Sequence, residues 1–246
     1  MSGELGPVFL TLLLVCSPIV AARAQQAVAP GRTAAYGEIR GKVTVSRPED
    51  SADEHIHSAL FGRYAAQGTK GTGVLVSPKG EDSWKLSERA VVYLERDELN
   101  RGAYSVPARH PLLDQKGLQF HPQVLPILMG TTVDFPNRDN LFHNVFSYSS
   151  PREFDLGRYP LNDSRSVMFD KPGVVRVYCD IHSHMSATIL VLQHPYYVVP
   201  DDEGNYVISN VPEGRYGIVL WYGRDVLQRK SVVVRSGESV VVNFND

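Results

Sequence analysis

Val174-Val175-Arg176-Val177-Tyr178-Cys179-Asp180-Ile181-His182-Ser183-His184-Met185-Ser186-Ala187-Thr188-Ile189-Leu190-Val191-Leu192 reads as a strand, a short polar loop and a second strand. Apolar and β-branched residues crowd both flanks, without helical periodicity. Strand parity places Val175, Val177 and Cys179 on one face, so the thiol emerges at the end of a core-facing strand. His182 and Met185 fall in the loop. A thiolate, an imidazole and a thioether at C-x2-H-x2-M spacing form a soft ligand set suited to copper. Cys179 by itself also admits a plainer reading, a buried cysteine acting as a small hydrophobe.

The same strand-like pattern extends outward in both directions. Runs bounded by Gly, Pro, Asn and Asp are predicted as strands at Glu38 to Val45, Ala90 to Glu95, Val124 to Met129, Thr131 to Phe135 and His143 to Tyr148. Beyond the opening stretch they continue at Tyr206 to Ser209, Tyr216 to Tyr222, Ser231 to Val234 and Ser239 to Phe244. This density predicts an all-β protein of sandwich type. The exception is Ser51 to Ala66, where Ile56, Leu60 and Tyr64 recur at four-residue spacing behind a capping serine. His55 and His57 lie there, but residues two apart on a helix point to different sides, so both are read as solvated.

The first residues, MSGELGPVFLTLLLVCSPIVAARAQQ, carry an apolar run followed by Ala22-Arg23-Ala24, a small-x-small cleavage signal. Export is expected, with cleavage after Ala24 and a periplasmic or secreted mature chain. Cleavage would remove Cys16 and leave Cys179 as the single cysteine. In an oxidising compartment an unpaired thiol invites oxidation or cross-linking, and capture by a metal is one good reason to keep it. A formal net charge of −2 over 246 residues supplies no basic field for nucleic acid or an anionic membrane surface.

A trigonal copper site needs a second imidazole beside the Cys and His of the loop, with a weak axial Met. His143 is the candidate, opening the run His143-Asn144-Val145-Phe146 after the turn-rich Phe135 to Phe142. Val133-Asp134-Phe135-Pro136-Asn137, the downstream His143-Asn144-Val145 and the contracted loop ending at Met185 resemble the amicyanin and plastocyanin group of cupredoxins, over roughly residues 108 to 194. The resemblance implies a Greek-key sandwich and one type 1 (blue) copper ion held by His143, Cys179, His182 and Met185. It further implies one-electron transfer with a redox protein partner, an exposed edge of His182 as the port, and Asn144 tying the two ligand loops together. Amicyanin-like loops place Pro after the ligand His; here Ser183 and His184 follow, which leaves His184 as an alternative axial ligand. Spacing favours Met185, because a ligand three residues past His182 can fold back over the ion.

The whole chain is similar to periplasmic proteins labelled methylamine-utilisation-like, and Asp201 to Tyr222 resembles the carboxypeptidase-regulatory or transthyretin-like β-module. These readings divide the chain into a signal peptide (1–24), a linker (25–35), N-terminal strands with a helical excursion (36–107), a copper-binding domain (108–194) and a small β-module (195–246). About 50 residues are marginal for an independent core, so the last module should borrow strands from the N-terminal stretch. Copper enzymes with further catalytic metals need additional histidines at paired positions, whereas of the eight present His110, His121 and His194 are scattered and none flanks Cys179, so no enzymatic activity is expected. A periplasmic copper carrier or resistance protein and a metal-free β-sandwich interaction protein are the other readings.

Overall fold

The computed structural model describes residues 36–45 and 85–245. The expected signal peptide, the linker, and the helix from Ser51 to Ala66 with His55 and His57 lie outside the described residues.

In chain order the elements are β1 (Tyr36–Thr44), a single-turn helix α1 (Leu86–Arg89), β2 (Ala90–Glu95), β3 (Asp114–Lys116), β4 (Gln119–His121), β5 (Val124–Leu128), β6 (Thr131–Pro136), β7 (His143–Ser149) and β8 (Arg152–Tyr159). They continue with β9 (Ser164–Phe169), β10 (Gly173–Tyr178), β11 (Ser186–Leu192), β12 (Tyr197–Val198), β13 (Asn205–Pro212), β14 (Gly214–Tyr222), β15 (Asp225–Val234), β16 (Ser239–Val241) and β17 (Phe244–Asn245). The protein is all-β, as its sequence predicts. Five of these strands, β3, β4, β8, β9 and β12, were not anticipated. In β8 the cause is clear: Arg152, Glu153, Asp155 and Arg158 alternate with two half-buried apolar residues, Phe154 and Leu156, so the strand has the composition of a charged loop.

A five-stranded sheet in the order β5-β11-β10-β7-β8 faces the ladder β6-β9 and the hairpin β3-β4. The chain repeatedly crosses between these layers, and the space between them is filled by Leu113, Phe120, Val133, Phe135, Val145, Phe169, Val175, Val177 and Ile189, among others. Burying side chains of this size stabilises by roughly 1.5–3 kcal/mol each relative to exposure. A second core lies between the sheet β12-β2-β14-β15 and the strands β13-β1-β16, with β17 also paired to β1. β1 pairs antiparallel with β13, and β2 with β14, so N-terminal strands are completed by partners far along the chain.

The sheet containing β2 and β14 also covers the outer face of the five-stranded sheet. Val91, Val124, Leu190 and Trp221 form a buried cluster there, with Tyr93, Val174 and Tyr197 packed against it. Arg176, on β10, crosses this contact. Its guanidinium lies 5.6 Å from the centre of the Trp221 ring, donates to Thr188 Oγ1 at 2.6 Å and reaches the Arg224 carbonyl. β10 is therefore packed on both faces, which fixes the strand that ends one residue before Cys179.

Candidate metal centre

Cys179 continues the inward face of β10: Val175, Val177 and Cys179 all belong to the first core, and the thiol is 4% exposed. β7 is the neighbour of β10, with Tyr178 opposite Phe146, and His143 at the start of β7 is thereby brought to the same end of the sheet. His143 is fully buried. His182 approaches from the turn after Cys179, a turn closed by Met185 N–H donating to the His182 carbonyl at 3.0 Å.

His143, Cys179 and His182 converge, and among the described residues this is the group of three whose ligand atoms could hold one metal ion. The Nδ1 atoms of the two histidines are 3.0 Å apart, and Cys179 Sγ lies 4.0 Å from His143 Nδ1 and 3.8 Å from His182 Nδ1. The circle through three points at these separations has a radius of about 2.1 Å, the length of an imidazole–metal bond and slightly short of a thiolate–metal bond. The donor set fits a metal. Two imidazoles and a thiolate in one plane are the trigonal set of an electron-transfer copper site, and the thiolate disfavours the hard cations Ca²⁺ and Mg²⁺.

At His182 electrostatics favour the deprotonated nitrogen such a site needs. Burial lowers the pKa of His182, and the neighbouring His143 and His184 lower it further. His143 Nε2 lies 2.9 Å from Asp139 Oδ2. Burial of Asp139 opposes its ionisation, but bonds from the backbone N–H groups of Leu118 and Gly117 and from His143 outweigh burial and hold its carboxyl below the usual range. An ionised Asp139 only accepts, so the neutral tautomer of His143 that this contact selects carries its proton on Nε2 and presents a lone pair at Nδ1. Asp139 was not anticipated from the sequence. Its signal is its place four residues before His143, although its anchors sit on the β3–β4 turn 21 or 22 residues upstream.

Met185 is 1% exposed and packs in the same core as Cys179, whereas His184 is exposed with its ring centre 6.3 Å from that of His182. Asn144, buried beside His143, accepts from the Asp180 N–H at 3.4 Å and so links the start of β7 to the residue after Cys179. His182 is partly exposed, and Leu141, Phe142 and Ile181 next to the ligands expose 50%, 57% and 38% of their surfaces.

No family model and no curated protein matches this chain. Solved structures do. A Cu-containing nitrite reductase from Thermus scotoductus SA-01 is 28% identical over 37% of this chain, with a TM-score of 0.34. The aligned part spans 24% of the length of that reductase. An oxidised amicyanin variant is 20% identical over 36% of this chain and 87% of its own, with a TM-score of 0.33. A purple cupredoxin from Nitrosopumilus maritimus is 23% identical over 33% of this chain and 96% of its own, with a TM-score of 0.29.

Proposed function

We propose that this chain is an exported mononuclear type 1 copper protein that passes single electrons between periplasmic redox proteins. The observation that carries the reading is the triangle of His143 Nδ1, Cys179 Sγ and His182 Nδ1, two of its residues buried and the third partly so, sized for one ion and built from the ligands that copper prefers. A copper ion held there would supply one-electron redox chemistry. The residues supply the rest: Asp139 fixes the tautomer of His143, the core around Cys179 excludes water, and the packed β10 holds Cys179 in place. Exposed Leu141, Phe142 and Ile181 around the partly exposed His182 give a partner protein an apolar surface to dry on contact. Electrons would leave through the His182 edge.

Residues 108–194 are proposed as the copper-binding domain, inserted into a second unit made of 36–107 and 195–246. In support, the core that reaches Cys179 draws its residues from Leu113 to Val191, while the second core draws on Ile39 to Leu99 and Tyr196 to Phe244. The second unit is assigned packing or docking and no metal ligand.

The purified mature protein, titrated with Cu(II), is expected to bind one equivalent and develop an intense visible absorption from thiolate-to-copper charge transfer. A protein that binds copper without colour would exclude the type 1 assignment. Burial of Met185 and exposure of His184 support Met185 as the axial ligand. Met185→Leu should keep the absorption and raise the reduction potential, because loss of a weak donor disfavours Cu(II); His184→Ala should leave both nearly unchanged. Voltammetry and visible spectra of the two variants decide it, and the reverse pattern would make His184 the axial group.

A further inference from the structure

Asn144 can link the ligand loops only in one orientation of its amide, with Oδ1 toward the Asp180 N–H. That contact, at 3.4 Å, is too long to choose the orientation by itself. The other end of the amide makes a much shorter bond, Nδ2 donating to Asp155 Oδ1 at 2.6 Å. A carboxylate accepts and does not donate, so Asp155 forces the nitrogen to its own side and the oxygen toward Asp180.

Asp155 reaches Asn144 because β8 is irregular at this point. Asn144 pairs with Arg158 and Phe146 with Asp155, so β8 carries one more residue than β7 across the interval, a bulge. Gly157 within it has φ of 64° and donates its N–H to the Asp155 carboxylate at 2.8 Å. Bulges commonly re-aim a side chain in this way, and a left-handed glycine is the usual residue in them. The same strand grips the loop a second time, through Arg158 to Asp180 at 3.0 Å, but that pair is exposed and worth little.

We infer that Asp155 is a positioning residue for the metal centre: it orients the Asn144 amide and thereby holds the segment following Cys179 against His143. The inference rests on the copper reading only for its metal-release measurement. Asp155 is exposed on an edge strand, so its replacement leaves the core intact.

Hydrogen exchange of the Asp180 amide in the metal-free protein, read by NMR, should accelerate about three- to fivefold in Asp155→Leu, the loss of one long hydrogen bond at the weak end of the usual range. Asp155→Asn keeps an acceptor oxygen and should stay within about twofold of wild type, as should Arg158→Gln. In the copper-loaded protein, release to a chelator should follow the same order, about tenfold faster for Asp155→Leu and near wild type for the other two. An unchanged Asp180 amide in Asp155→Leu, an Asp155→Asn variant as fast as Asp155→Leu, or faster amide exchange without faster copper release would each overturn the inference. A wild-type protein that takes up no copper would remove the copper reading, while the amide measurement would still decide whether Asp155 orients Asn144.

Discussion

Cys179→Ser is expected to abolish the visible absorption of the copper-loaded protein and to weaken copper binding by orders of magnitude, with the metal-free fold intact. The band requires a thiolate, which a serine hydroxyl cannot replace. The fold survives because the substitution exchanges sulfur for one smaller atom and leaves the apolar residues packed around it in place, although His143 Nδ1 and His182 Nδ1, 4.0 and 3.8 Å from the sulfur, stand too far to partner a hydroxyl there. The stability cost is that of burying one poorly partnered hydroxyl, about 1 kcal/mol. His143→Ala should also abolish the colour, but at a higher cost, about 1–3 kcal/mol, because it empties a fully buried position and strips Asp139 of a hydrogen-bond partner. Visible spectroscopy of the loaded variants and thermal unfolding of the metal-free ones give both quantities. Persistence of the band in Cys179→Ser would remove the thiolate from the site, and unfolding of that variant would make Cys179 a core residue rather than a ligand.

How much of this was readable in the sequence depends on how local each feature is. Cys179, His182 and Met185 lie within one strand-loop-strand stretch, and strand parity alone turns the thiol inward with Val175 and Val177. His143 is 36 residues from Cys179, and its approach depends on β7 lying beside β10, a pairing that no local pattern declares. His143 is proposed from the demand for a second imidazole after a turn-rich loop, and the resemblance implies the same residue; its approach to Cys179 is the part that no local signal carries. Asp155 and Asp139 escaped for a different reason. Both are charged residues in charged surroundings, indistinguishable by composition from solvated loop, and each acquires its part from a backbone feature that composition does not announce: the bulge in its own strand β8 for Asp155, and the tip of the distant β3–β4 hairpin for Asp139. That hairpin was itself overlooked, because strands of three residues leave too short an alternation to detect.

Asp139→Asn is expected to lower copper affinity about 10–100-fold, the range seen when the partner of a ligating histidine is removed. The substitution looks conservative, but the surroundings of Asp139 make it severe. Asp139 Oδ1 receives the Gly117 N–H at 2.6 Å, and Oδ2 receives the Leu118 N–H at 2.9 Å and faces His143 Nε2 at 2.9 Å. Every group around the carboxylate is therefore a donor. An amide placed there must turn its NH2 toward one of them, in either orientation, and a donor facing a donor loses the bond and adds repulsion. Turned toward Gly117, it loosens the hairpin tip; turned toward His143, it releases the Nε2 proton constraint and lets the ring adopt the tautomer protonated at Nδ1, which has no lone pair to offer on the atom that faces Cys179 and His182. Loss of the negative charge beside the ligand also disfavours Cu(II) more than Cu(I), so the reduction potential should rise. Competition titrations against a chelator of known strength, run in both oxidation states, separate the two effects: the loss should be larger for Cu(II). Equal losses in both states would reduce Asp139 to holding the hairpin, and unchanged affinity in both would show that the His143 tautomer is set by something other than this carboxylate.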